Sequence, residues 1–155
     1  MASYFLMAKV FSRGRGSRVT RAAAYRAGER IRDERSGESY NHTNRQDVVH
    51  KEIFLPSDLT HRRDMEWARD RAKLWNAAEF AGRQRNSRLA REVLVHLPPE
   101  LTSAQRTNLA RTLSQELAEK YRCAVDLAVH EPRPGTDERH HHAHVLMSTR
   151  VSGVN

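Results

Sequence analysis

Two strand-like runs, each with histidine at the end nearest the other, constrain this chain more than any other feature. Cys123-Ala124-Val125-Asp126-Leu127-Ala128-Val129 ends in His130, and His142-Ala143-His144 runs directly into Val145-Leu146-Met147-Ser148-Thr149. The connection between them contains Glu131-Pro132-Arg133-Pro134-Gly135, whose prolines and glycine stop one strand and turn the chain toward the next. In a strand, residues i and i+2 share a face, so His142 and His144 stand side by side. If the two runs pair as neighbours, His130 joins them and three imidazoles converge. Three nitrogen ligands that leave positions open for substrate suit a catalytic metal ion better than a structural one. A single histidine is more often a solvated surface residue, and His140 and His141 are read that way. A purification tag is a poor account of the run, which is internal and interrupted by Ala143.

The length of 155 residues fits one domain with a real core, read here as spanning 1–155 and trimmed or short at its C-terminal end. Lys and Arg number 27 against 19 Asp and Glu, a net charge of +8, which suits a polyanionic partner, nucleic acid above all. The lone Cys123 excludes an internal disulfide and the cysteine-based zinc motifs, and its apolar run marks it as a core residue. No stretch reaches the roughly 18 apolar residues of a membrane span. The start, Met1-Ala2-Ser3-Tyr4-Phe5-Leu6, lacks a charged leader and cleavage site, so the expected location is cytoplasmic, with no membrane insertion.

Along the chain, Ser3 to Phe11 is apolar on both alternating faces and predicts a central strand. A basic loop, Ser12 to Ser17, precedes a helix from Val19, with Ser17 as its cap and Gly28 near its end. Asp33 to Gln46 reads as a loop or small hairpin, and Val48 to Leu55 as a strand closed by Pro56. Thr60 to Arg83 predicts one long helix that packs Trp67 and Trp75 against the sheet. Leu89 to Leu97 is a further strand. Thr102 caps a helix with Leu109, Leu113, Leu117 and Tyr121 on its apolar stripe. The fold class is α/β: a two-layer sandwich with a largely antiparallel central sheet of about five strands and helices packed on one face.

Arg13, Arg15, Arg18, Arg21 and Arg26 surround the first helix and make a field suited to a phosphodiester backbone. Tyr25 lies inside that field and is a candidate nucleophile. Taken alone, it reads more readily as an amphipathic helix residue packing its ring on the sheet.

Four segments in order resemble the relaxase domain of the MobA/MobL family of plasmid mobilisation proteins, within the HUH endonuclease superfamily. They are the N-terminal strand and basic loop leading to Ala23-Ala24-Tyr25-Arg26-Ala27-Gly28, and Ser39 to Pro56, which includes Tyr40-Asn41-His42-Thr43 and Val49-His50-Lys51-Glu52-Ile53. The others are Leu89 to Pro98, and His130 with His142-Ala143-His144. The chain departs from the family in having His140 and His141 where Asn-Pro is common, and in its altered Tyr40-Asn41-His42-Thr43. His140 is therefore a rival for the metal.

The resemblance implies that Tyr25 attacks a DNA phosphate at a plasmid transfer origin, displaces the 3′-hydroxyl and leaves a 5′-phosphotyrosine. It implies a divalent ion on His130, His142 and His144, either Mn²⁺ or Mg²⁺, with Ni²⁺, Co²⁺ or Zn²⁺ also able to occupy imidazole ligands. It places a carboxylate near the site to orient a histidine or take the tyrosine proton. Glu92 is the candidate, with Asp126, four residues from His130 on the same strand face, as its rival. Implied partners are single-stranded and supercoiled transfer-origin DNA, relaxosome accessory proteins and a type IV secretion coupling protein. A rolling-circle replication initiator would use the same chemistry but usually carries its tyrosine after the His-x-His. A DNA-binding module without catalysis is the third reading. His50 and His96 are read as structural or DNA-proximal.

Overall fold

The structure is a computed structural model that describes residues 6–12, 18–82, 87–137 and 140–150. The strands are β1 (Leu6–Ser12), β2 (Arg30–Arg32), β3 (Ser39–Asn41), β4 (Val48–Phe54), β5 (Arg88–His96), β6 (Cys123–His130) and β7 (His142–Arg150). The helices are α1 (Val19–Ala27), α2 (Arg71–Ala81) and α3 (Ser103–Tyr121). Five strands form one sheet in the order β1-β5-β7-β6-β4, and every neighbouring pair is antiparallel. β2 and β3 pair as a small hairpin that starts earlier than the Asp33–Gln46 segment expected to hold it: β3 lies inside that segment, whereas β2 precedes Asp33.

The antiparallel sheet with helices on it follows the sequence pattern, and its helices cover both faces rather than one. Ala90, Ala124 and Leu146 point to the face where α1 and α2 bury Ala23, Ala24, Leu74 and Trp75. The alternate residues Val95, Val125, Leu127, Val145 and Met147 point to the other face, where α3 buries Ala110 and Ala118. All of β6 is buried, which is why its sequence is nearly continuous in apolar residues.

Several expectations are corrected. β1 is an edge strand, not a central one: Phe11 enters the core, but Met7 and Val10 are exposed. The long helix from Thr60 is two elements, a 3-10 segment Arg63–Arg69 and α2, separated by Asp70 in extended backbone. The Asp70 carboxylate accepts from the Lys73 amide at 3.1 Å, so a helix N-cap interrupts a periodicity that reads as continuous. Trp75 is fully buried, whereas Trp67 is exposed.

In α3, the Thr102–Gln105 capping box forms as expected. The buried stripe, however, is Arg106, Ala110, Ser114 and Ala118, with Leu113 and Leu117 at its border and Leu109 and Tyr121 exposed. Small residues let this helix lie close to the sheet, so the larger leucines flank the contact. Ser17, expected as the cap of α1, lies outside the described residues; Arg18 makes no side-chain cap bond, and the buried Glu79 carboxylate of α2 accepts from the first amide, Val19 N, at 2.7 Å. Among the described residues, no helix is long and apolar enough to cross a membrane.

Candidate active site

Strand register assembles the histidines. His130 lies opposite His142, and Ala128 opposite His144, across the β6–β7 ladder. All three side chains share the α1/α2 face. Their ring centroids are 5.0, 4.7 and 5.1 Å apart, and one ligand nitrogen from each lies within 4.8 Å of the others. His130 is completely buried. Burial pushes its pKa down to about 4, and the neighbouring His144, His142 and Arg45 act in the same direction against the Arg26 carbonyl. Burial likewise lowers that of His142. Three imidazoles converging at this spacing are the kind of donor set that a divalent ion of borderline softness takes, so these residues fit a metal.

Helix α1 ends beside this cluster. The His130 Nε2 is 2.7 Å from the Arg26 carbonyl oxygen. Gly28 closes the helix at φ 65°, its amide donating to Ala24 O. A Cβ there would stand 3.4 Å from Arg45 Cβ and 3.5 Å from His42 O. Those are ordinary contact distances, so it is the left-handed turn rather than lack of space that calls for glycine here.

Tyr25, in the last turn of α1, does not pack on the sheet: it is 44% exposed. Its ring meets His42 edge-on at 5.1 Å and carries the Arg45 guanidinium 4.4 Å from its centroid. It borders a cleft of about 630 Å³, lined on one side by His42 and by Asn44 to Asp47, and on the other by Glu131 to Pro134.

The structure separates the two candidate carboxylates. Glu92 on β5 is buried, pairs with the Arg26 guanidinium through both oxygens, and has one oxygen 3.5 Å from His144 Nδ1. Burial alone would raise its pKa, but the His144 ring and the Arg26 guanidinium overcome this and hold it at about 2. Asp126 instead accepts from Arg71 Nε at 2.8 Å and from the Trp75 indole at 2.8 Å. Arg71 in turn pairs with Glu29, which also holds Lys51. Asp126 therefore belongs to a buried network that fastens α2 to the sheet.

Of the arginines grouped in the sequence, Arg26 is paired with Glu92 and half-buried, so it offers no free cation to a phosphate. Arg21 is exposed and Arg18 partly so; Arg13 and Arg15 lie outside the described residues. His140 is exposed, 3.7 Å from Asp137, and its carbonyl oxygen is 3.1 Å from His142 Nδ1. His50 pairs with Glu52 at 2.8 Å. Sequence reasoning missed His42, Arg45 and Asp47. All three lie in the Ser39–Pro56 segment that carries the family resemblance, but their contacts are fixed by loop shape rather than by periodicity, so no role could be assigned to them.

The MobA/MobL family profile matches residues 17–153. The chain is 38% identical over 169 aligned residues to "Mobilization protein MobL" of Acidithiobacillus ferridurans, covering 96% of this chain and 43% of that protein. It is 33% identical to "Probable mobilization protein MobA" of Bifidobacterium longum, over 97% of this chain and 25% of that one. The chain thus spans less than half the length of these curated relatives. A solved structure reported under "Molecular Basis of Vancomycin Resistance Transfer in Staphylococcus aureus" superposes with a TM-score of 0.81 and 28% identity, covering 95% of this chain and 70% of that one.

Proposed function

This chain belongs to the MobA/MobL family, and we propose that it is the DNA-nicking relaxase unit of a plasmid mobilisation protein. In this reading it cuts one strand at a transfer origin by tyrosine transesterification of the HUH type. One observation carries it: a half-exposed tyrosine at the end of α1, whose next residue touches one of three converging histidines.

Tyr25 is the nucleophile. Its phenolic oxygen forms a bond to the scissile phosphorus, and the bond to the 3′-oxygen breaks. The phenolic proton leaves to the open cleft, and the departing 3′-oxygen takes up a proton. One phosphodiester replaces another, so the step is close to neutral in energy and reversible, as strand transfer and rejoining require.

His130, His142 and His144 would hold a divalent ion, Mn²⁺ or Mg²⁺ with Ni²⁺, Co²⁺ or Zn²⁺ as alternatives, and that ion would supply Lewis-acid neutralisation of the phosphate charge. Glu92 orients His144 and fixes Arg26, because a carboxylate held near 2 is a poor acceptor for a phenolic proton. Arg18 and Arg21, with Arg13 and Arg15, provide the sequence-independent attraction for the backbone. The partners proposed for the longer protein are relaxosome accessory proteins and a type IV coupling protein.

The test is a set of labelled single-stranded oligonucleotides tiled across the replicon that encodes the chain, incubated with protein and Mn²⁺ and run on a denaturing gel. A protein-linked band lost in Tyr25→Phe and in EDTA is expected. An adduct that persists in Tyr25→Phe would overturn the assignment; binding without adduct would favour a binding module.

A further inference from the structure

Resting on the reading of Tyr25 as nucleophile, we propose that Arg45 is a positioning residue that orients the Tyr25 ring against the histidine cluster. Three separate contacts converge on this side chain. Arg45 Nη1 donates to the Tyr25 carbonyl at 3.0 Å. The guanidinium carbon lies 4.4 Å from the Tyr25 ring centroid, within reach of the ring's negative face. Nη2 lies 3.5 Å from His130 Nδ1. One planar group therefore touches the backbone of the tyrosine, its ring and the buried histidine.

The guanidinium is itself fixed. Nε and Nη2 bond both oxygens of Asp47, at 3.0 and 2.7 Å, a two-pronged pair that sets the plane as well as the position. Asp47 is tied to the strand that carries the cluster, because its carbonyl accepts from the Glu131 amide at 2.9 Å, directly after His130. The path from His130 to Tyr25 thus runs through rigid hydrogen bonds: β6 end, Asp47, Arg45, Tyr25. A half-exposed ring at a helix terminus takes its direction from what touches it at the surface. Here that is Arg45 on its face, with His42 meeting the ring at 88°. An arginine already held by a carboxylate is a poor free ligand for phosphate, which distinguishes Arg45 from the exposed Arg21.

A lysine could place one charge near the ring but could not bond Asp47, the Tyr25 carbonyl and the ring together. The test compares the intact chain with Arg45→Lys, Arg45→Ala and Asp47→Asn, each first checked for folding by thermal unfolding. Asp47→Asn leaves Arg45 in place, so it carries the prediction if Arg45→Ala does not fold. The first readout is fluorine NMR of protein carrying 3-fluorotyrosine, without DNA or metal, the Tyr25 signal being identified by its loss in Tyr25→Phe. Arg45→Ala and Asp47→Asn should shift and narrow that signal, Arg45→Lys less so. An unmoved Tyr25 signal in a folded Arg45→Ala or Asp47→Asn protein overturns the proposal.

The second readout is single-turnover cleavage of a saturating single-stranded oligonucleotide that the unmodified chain cuts. Displacing the attacking group should slow Arg45→Ala about 100-fold, with oligonucleotide Kd changed less than about threefold and Arg45→Lys in between. Weaker DNA binding with an unchanged saturated rate would make Arg45 a DNA contact and overturn its positioning role. If the unmodified chain forms no adduct, the nucleophile reading fails by itself, and the fluorine signal still decides whether Arg45 orients Tyr25.

Discussion

His144 Nδ1 stands 3.5 Å from a Glu92 oxygen on the neighbouring strand, and that carboxylate is buried and paired with Arg26. A carboxylate behind a ligating imidazole fixes its orientation and raises its basicity. Glu92→Gln keeps the shape and removes the charge. It should weaken Mn²⁺ or Co²⁺ binding about 10- to 100-fold, read by isothermal titration calorimetry. Unchanged affinity would reduce Glu92 to a structural partner of Arg26.

Metal binding should stabilise the fold through the three histidines together. At free metal 100 times its Kd, linkage gives about 2.7 kcal/mol, and a chain of this size should gain several degrees of Tm. EDTA should reverse the gain. His142→Ala and His144→Ala should each abolish most of it, whereas His140→Ala, on an exposed residue, should not. An equal loss in His140→Ala would bring that residue into the ligand set.

The Asp126–Arg71 pair should matter to stability and little to metal affinity. Arg71 Nε and the Trp75 indole both donate to Asp126, which is buried under α2. Asp126→Ala leaves a buried guanidinium and indole short of an acceptor and should cost about 3–5 kcal/mol in urea unfolding. A cost below about 1 kcal/mol would mean that water or a rearranged Glu29 replaces the carboxylate.

Asp33 supplies an acid-side signature. Burial would raise its pKa, but the Thr20 hydroxyl at 2.6 Å and the Ser36 amide at 2.9 Å hold it below the ordinary carboxylate value. The unfolded chain then takes up the proton first as pH falls. The stabilisation is therefore fully present above pH about 4 and is lost as pH drops through the folded value. Asp33→Asn should flatten this part of the urea midpoint profile below pH about 4. An unchanged profile would show that other carboxylates carry the acid limb.

The parts of this molecule visible in its sequence are those governed by repeating geometry. Alternation marked β6 and β7 and placed His142 beside His144, and the offset of four residues put Asp126 on the face of His130. Alternation could not separate Glu92 from Asp126, because both point to the same sheet face. Arg26 and Arg71, which claim one carboxylate each, come from different helices. Helical spacing continued through Asp70, although one side chain there ends a segment by capping the next. Arg45 was illegible for a further reason: its partners Tyr25 and His130 are 20 and 85 residues away, and only the folded chain brings them together.

The strand that carries two of the three histidines lies in the middle of the sheet, bonded on both sides, and every residue of its neighbour β6 is buried. Opening this region requires breaking two ladders at once, so its amides should be among the slowest to exchange with deuterated solvent, close to the rate set by global unfolding. The cluster is then shaped when the chain folds, before any ion arrives. An ion bound here should therefore need side-chain adjustment alone, such as release of a His130 ring contact to the Arg26 carbonyl or to Arg45, and no rearrangement of the strands.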